Sequence, residues 1–452
     1  LNFVQKMPPK KDSKQKNSTL FKDDNGNDLT TEQYMDYLEK KVKTACKNGG
    51  IQAPPTELIK TIRNVVETED KSRKGMPFTS IVFSQLTSPE QLIVSLQILQ
   101  NYTPLEDIIF NQFLFTTESF VETLNFVQKM QNIKNLTLIQ PNLQTQQLKQ
   151  LFQTVPQSHL IRLTLKECRV SSDVLLAAGV QIEKSYQQKL AECERAIELA
   201  VQQHTLELEE AKSKPQKKAK KPKKKSKKLE TWQLSPQDLL QEQFVLQEVR
   251  LEFCMMTEEC APALGIFVEK TALLLKRLSF YGNEFKEAGM RAVGLGLQKA
   301  FQQYRKFEDT ALEKECYFGS KFIKLESLDL GQCQIGYEDE AAKEFGEGVG
   351  RCGNLHYVNL DKNLFQSLGL LLFWFQKQWA LTGVNVDCKL KGEDVDKLVD
   401  AMKTHKKKQV DTEKQLKKMA KANKKKAKGG DAEGMKPIED ENKENKEKDV
   451  EK

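Results

Sequence analysis

What this chain lacks narrows its chemistry. It has only four histidines, His159, His204, His356 and His405, and none stands in metal-ligand spacing with another histidine or a cysteine. Nine cysteines are present, an odd number with no Cys-x-x-Cys pair. That excludes a disulfide framework and a zinc ribbon, and a reducing compartment is expected. P-loop, GxSxG and strand-linked GxGxxG motifs are missing, which removes the usual nucleotide and acyl-transfer signatures. The most apolar stretch, Leu368–Phe375, falls far short of the roughly 20 residues a membrane helix needs. It is expected in a core, and no membrane is expected as a partner. The first residues have no apolar run of the secretory type. No cofactor and no metal are expected, and the chain reads as a non-enzyme.

Charge is abundant and unevenly placed. The net charge is +8 over 452 residues. Nine lysines crowd one short segment: Lys217, Lys218, Lys220, Lys221, Lys223, Lys224, Lys225, Lys227 and Lys228. Twelve more lie between Lys403 and Lys428. Such runs serve as solubilising segments, as nuclear signals with nucleic-acid contacts, or as electrostatic anchors on an acidic polymer. No aromatic residue interleaves the lysines, so base stacking is not expected. The anchor role is the first expectation, with an acidic tubulin surface as one fitting partner. Nucleic acid is the second choice.

A repeat of the form L-x-x-L-x-L-x-x-N/C-x-L runs along the chain. It is clear at Leu160 (LIRLTLKECRV), Leu246 (LQEVRLEFCMM), Leu275 (LKRLSFYGNEF), Leu325 (LESLDLGQCQI) and Leu355 (LHYVNLDKNLF), and looser at Ile133. Degenerate copies start at Phe78, Leu105 and Leu381. Neighbouring copies not separated by an insertion lie 26–30 residues apart, and amphipathic runs follow several of them. The heptapeptide LNFVQKM at residues 1–7 recurs at 124–130 but is not this repeat. Its flanks differ, and MPPKK at Met7 reads as a start of translation, so residues 1–6 are expected to lie outside the native protein.

This pattern resembles the leucine-rich repeats of ribonuclease-inhibitor type, over about residues 76–403. The resemblance implies an α/β solenoid, a horseshoe with parallel strands on the concave face and helices on the convex face. One strand–helix unit cannot bury its own apolar face, whereas stacked units bury a continuous core. In that family the ninth residue turns inward to satisfy loop backbone, a role that falls here to Cys168, Cys254, Asn283, Cys333 and Asn363. Glycines in AVGLGLQKA and EFGEGVGRCG are expected to serve close helix packing.

The expected organisation follows. Residues 1–29 form a disordered basic N-terminus and 30–75 a helical cap, with a capping box at Thr30 and Gln33. Residues 76–172 hold the first repeat block. Residues 173–245 hold an inserted long helix and a lysine-rich loop. Its seam of Ile182, Tyr186, Leu190, Cys193, Ile197 and Ala200 is coiled-coil-like, compatible with packing on the solenoid or with projection as an arm. Residues 246–403 hold the second block, interrupted by a short insertion at 305–322, and 404–452 form a charged disordered tail.

Concave strand positions mark the expected protein-binding set: Arg250, Phe253, Arg277, Tyr281, Asp329, Tyr357 and Asp361. Exposed Arg, Tyr and Phe together read as interface anchors. Asp329, Asp361 and Arg250 also have the residue types of an acid–base set, but such positions on a solenoid are usually contact residues. The whole resembles axonemal leucine-rich-repeat subunits of the nexin–dynein regulatory complex and the radial spokes. That implies a scaffold in the cytoplasm, cytoskeleton and cilium, with protein subunits of a large assembly as partners. Two alternatives stay open: a nuclear or nucleolar RNA-associated protein, and a GTPase-activating regulator on the same fold. The latter resembles the activator of the nuclear-transport GTPase, although the tail here never becomes a purely acidic block.

Overall fold

The computed structural model describes residues 21–67, 76–213, 244–305, 324–378, 380–386, 390 and 392–428. The first described residues correct one expectation. Residues 21–29 are not disordered: β1 (Phe21–Lys22) and β2 (Asp28–Leu29) form an antiparallel hairpin. Asp23 closes its turn by accepting from the Asn25 and Asn27 amides at 3.0 and 2.8 Å. Phe21 then stacks on Tyr34 at 4.6 Å, which gives this short segment an aromatic anchor. Helices α1 (Thr31–Asn48) and α2 (Thr56–Glu67) follow. Thr30 and Gln33 make the reciprocal capping box of α1, which satisfies two amides that the first turn leaves orphaned. Leu38, Val42, Leu58 and Ile62 are buried and join the continuous core that runs into the first repeat.

From there each unit repeats one design. The strands are β3 (Ser80–Ser84), β4 (Asp107–Asn111), β5 (Asn135–Ile139), β6 (Arg162–Lys166), β7 (Glu248–Glu252), β8 (Arg277–Ser279), β9 (Ser327–Asp329), β10 (Tyr357–Leu360) and β11 (Gly383–Val386). All nine lie parallel in one sheet, in sequence order. The helices are α3 (Pro89–Leu99), α4 (Thr117–Lys129), α5 (Thr145–Thr154), α6 (Ser172–Ser213), α7 (Ala261–Thr271), α8 (Lys286–Arg305), α9 (Asp339–Gly350), α10 (Gly369–Lys377) and α11 (Gly392–Lys428). The fold is the leucine-rich-repeat horseshoe. Strand side chains alternate with period two, so Leu163 and Leu165 face the core while Arg162, Thr164 and Lys166 face the concavity. Ser88 and Thr116 cap α3 and α4, and Pro89 suits the first helical position. The second LNFVQKM copy lies at the end of α4, where Leu124, Phe126, Val127 and Met130 are buried. The first copy lies outside the described residues.

The ninth position is built as the repeat implies. Asn283 is fully buried; its Oδ1 accepts from the Cys254 and Met256 amides at 2.9 and 3.3 Å. Its Nδ2 donates to the Leu251 and Phe280 carbonyls at 2.8 and 2.6 Å. Asn363 repeats the arrangement one unit on from Cys333. The thiols of Cys168, Cys254 and Cys333 reach neighbouring carbonyls instead, at 3.3–3.9 Å. One position earlier the chain turns through left-handed backbone, and most of the residues there are not glycine. Gln112, Gln140, Glu167, Phe253, Gln332 and Lys362 all have φ between 47° and 57°. Gln112 donates to Gln140 at 2.6 Å, and Gln140 donates to Glu167, so a side-chain ladder spans three of these turns.

On the convex side, α8 and α9 approach closely because neither has a side chain at the crossing. A Cβ on Gly294 would meet the Glu344 carbonyl at 2.4 Å, and one on Gly348 would meet the Gly294 carbonyl at 2.4 Å.

Two further corrections concern the long helices. Helix α6 is not wholly inserted. Val174, Leu175, Ala178 and Ile182 are buried, so its first turns serve as the convex helix of the fourth repeat. The seam continues through partly buried Tyr186 and Leu190 to buried Cys193. Further on, Leu199 and Leu206 are 66% and 60% exposed. Packing on the solenoid and continuation beyond it therefore both occur in one helix of about 63 Å. The segment expected to be a disordered tail from residue 404 is helical through Lys428. Lysine is a good helix former, and α11 is anchored where it begins. Leu398, Met402 and His405 are buried, and His405 nitrogens contact the carbonyls of Leu381 and Gln376 at 2.8 and 3.0 Å.

Candidate protein-binding face

The long break between the copies at Leu160 and Leu246 is no break in the sheet. Strand β6 pairs directly with β7, residue for residue from Arg162↔Glu248 to Lys166↔Glu252. This brings residues of both blocks onto one surface. The register aligns three rows across the concave face. The first runs Arg162, Glu248, Arg277, Ser327, Tyr357. The second runs Thr164, Arg250, Ser279, Asp329, Asn359. The third holds Lys166 and Glu252, with Tyr281 and Asp361 in the turns beyond the later strands.

Glu248 organises the first group. Its side chain is only 5% exposed. It accepts from Arg162 Nε at 2.7 Å and from Arg250 Nε on its other oxygen, and Arg277 stands 3.6 Å away. Burial alone would raise the Glu248 carboxyl, but the bonds from Arg162 and Arg250 outweigh it and hold it below the usual range. The three guanidiniums stay substantially exposed, Arg277 at 54%.

Beside them stands an aromatic pair. Phe253, in the turn after β7, meets Tyr281 edge-to-face at 5.4 Å. Lys166 lies over the Phe253 ring at 5.7 Å and Lys362 over Tyr281 at 5.8 Å. Tyr281 donates to Gln332 Oε1 at 3.0 Å and accepts from Lys362 Nζ at 3.0 Å. Gly282 leaves room for this pair: a Cβ there would lie 2.4 Å from the Phe253 ring.

The later strands carry a different set. Asp329 accepts from the Gly331 amide at 2.9 Å, from Asn359 Nδ2 at 2.7 Å and from Ser279 at 3.4 Å. The row continues as Asn385 donates to Asn359 at 3.1 Å. Tyr357 is exposed and lies against Gly383, where a Cβ would approach its ring to 2.9 Å. Burial raises the Tyr357 hydroxyl, and the Asp329 and Asp361 carboxylates push the same way.

The structure thus groups the seven expected residues into three neighbourhoods. Arg250 and Arg277 converge on Glu248, Phe253 packs with Tyr281, and Asp329, Tyr357 and Asp361 share the later strands. Sequence reasoning missed Arg162, Lys166 and Glu248. Each occupies a strand position of the repeat that faces the concavity, so the pattern held the signal once the two blocks were aligned in one register. The nine lysines from Lys217 to Lys228 lie outside the described residues.

No protein-family model matches the chain. No curated protein sequence matches it either. Among solved structures it is similar to one described as the crystal structure of the Rad7 and Elc1 complex in yeast. The identity there is 10% over 81% of this chain and 86% of that chain, with a TM-score of 0.23. What the chain's own sheet establishes is the fold, a leucine-rich-repeat horseshoe with nine parallel strands among the described residues.

Proposed function

We propose that this protein is a non-catalytic interaction scaffold. The concave face from β6 to β10 holds a partner protein, and the lysine-rich segments tie the complex to a larger acidic assembly. The ciliary axoneme is that assembly, in the manner of the nexin–dynein regulatory complex or a radial spoke, with acidic tubulin as one contact. The observation that carries the reading is the concave strip of half-exposed arginine and aromatic side chains, Arg250, Phe253, Arg277, Tyr281 and Tyr357, set on the strands and the turns that follow them. Arg and Tyr concentrate binding energy because they offer large contact area and directed hydrogen bonds with few torsions to freeze. The test is location. A C-terminally tagged native protein should remain with detergent-extracted axonemes through moderate salt. A nuclear or nucleolar signal would overturn the axonemal assignment and turn attention to nucleic acid.

A further inference from the structure

We infer that the arginine cluster on β6–β8 recognises an acidic segment of the partner protein, a pair of carboxylates beside an apolar side chain. The inference rests on the reading of the concave face as the binding face. It goes further by naming the partner's chemistry.

The strand positions of β6–β8 that face the concavity carry four cations, Arg162, Lys166, Arg250 and Arg277, and two carboxylates, Glu248 and Glu252. Cations are in excess before any partner arrives. Glu248 does more than offset charge. It engages Arg162 and Arg250 through their Nε atoms. Among the described residues Arg162 donates only through Nε, which leaves its terminal amino groups without a hydrogen bond, and Arg250 Nη1 reaches Glu252 only at 3.8 Å. Arg277 makes one loose contact at 3.6 Å. Planar guanidinium edges are thus held in place with donors unspent, the geometry that accepts carboxylates two bonds at a time. Holding them in advance lowers the ordering cost of binding.

The later strands differ in this respect. Asp329 is already supplied with donors by Gly331, Asn359 and Ser279, so it has less to offer a basic ligand. The Phe253–Tyr281 pair next to the arginines provides the apolar contact. The cluster spans about 10 Å, two strand spacings, and the acids Glu252, Asp329 and Asp361 lie beyond or beside it. A long polyphosphate chain would run into those acids, whereas a short carboxylate pair would not. Two acids at i and i+4 of a helix, or at i and i+2 of an extended segment, stand about 6–7 Å apart and so fit within the spread of the guanidiniums.

The experiment uses the full chain and a short fluorescein-labelled peptide of Glu, Leu and Phe, read by fluorescence anisotropy at near-physiological salt. Its Glu→Gln counterpart and oligo-uridylate serve as comparisons. The acidic peptide should bind, the Gln peptide should not, and oligo-uridylate should not displace it. The Arg250→Gln/Arg277→Gln variant should bind at least about tenfold more weakly, the loss expected for one to two charge-assisted bonds. Arg277→Gln removes only the loose 3.6 Å contact to Glu248, so its loss of binding at an unchanged melting temperature separates recognition from folding. Replacing the nine lysines from Lys217 to Lys228 by Gln should change affinity little. The inference fails if peptide binding is absent, if it follows the lysines, if the arginine variants bind like wild type, or if oligo-uridylate competes equally well. A photo-cross-linker at Tyr357 keeps the two readings apart. A partner protein still captured there by a chain that fails the peptide test overturns only the acidic chemistry.

Discussion

Replacing Asn363 with alanine should cost far more than replacing Cys333 with alanine, although both occupy the ninth position of adjacent repeats. The Asn363 side chain is 1% exposed and makes four hydrogen bonds. Alanine would strip an acceptor from the buried Cys333 and Ile335 amides and a donor from the Leu330 and Leu360 carbonyls. At a net value of about 1 kcal/mol per bond, the loss approaches 4 kcal/mol, and each amide left without a partner adds to it. Cys333 contributes only a thiol directed at the Phe280 and Gly331 carbonyls at 3.3 and 3.4 Å. Its truncation removes one sulfur from a packed core, about 1 kcal/mol. Urea denaturation followed by circular dichroism measures the pair of variants. Because a solenoid unfolds in neighbouring units, hydrogen exchange at the Cys333 and Ile335 amides should localise the damage. Equal costs for the two variants, or an Asn363→Ala chain within 1 kcal/mol of wild type, would refute the ladder argument.

Other outcomes follow from particular contacts. Gly294→Ala should destabilise by about 1–3 kcal/mol, because its Cβ would meet the Glu344 carbonyl and the Phe345 Cα at 2.4 Å. Gly392→Ala, with nothing within 4 Å, should be near neutral, and paired thermal melts check the contrast. Arg63, with help from Lys43, holds the Glu39 carboxyl down at about 2. The folded pKa is depressed, so this stability is complete above the usual 4.5 and fades as pH falls toward 2. Glu39→Gln should therefore flatten the acid limb of the stability curve in that window, and an unchanged limb would contradict the pairing. Cys46, Cys168, Cys193, Cys254, Cys260, Cys333 and Cys352 are buried cysteine side chains. Burial pushes Cys333 and Cys352 up to about 12. Mass spectrometry after alkylation at mildly alkaline pH should find these seven unmodified in the native chain and modified in denaturant.

The repeat was legible because it combines two signals, leucine periodicity within a strand and a unit length of 26–30 residues between strands. Both follow from stacking, so Leu163, Leu278 and Leu328 stand where the pattern puts them. The inward role of Asn283 and Asn363 came instead from the resemblance to ribonuclease-inhibitor-type repeats. The joining of β6 to β7 was not legible, since a pattern along the chain says nothing of strands that meet across 81 other residues. With it the Arg162–Glu248 pair stayed hidden, and so did the most organised part of the candidate face. The left-handed turns at Gln112, Gln140 and Gln332 were missed because glycine, the usual mark of such backbone, is absent from them. Composition misled at both ends. The hairpin at Phe21 is too short to show a period, and the lysine-rich stretch of α11 has too little apolar surface to announce a helix that begins on the packed residues Leu398 and Met402.

The central claim is that the concave face binds a protein. Photo-reactive benzoylphenylalanine placed at Tyr281, at Tyr357 and at exposed Lys343 on the convex helix α9 tests it most directly, in cells and with the full chain. The account predicts one protein adduct of the same partner at Tyr281 and Tyr357, and none at Lys343. Adducts at Lys343 alone, or none at either tyrosine position, would contradict it.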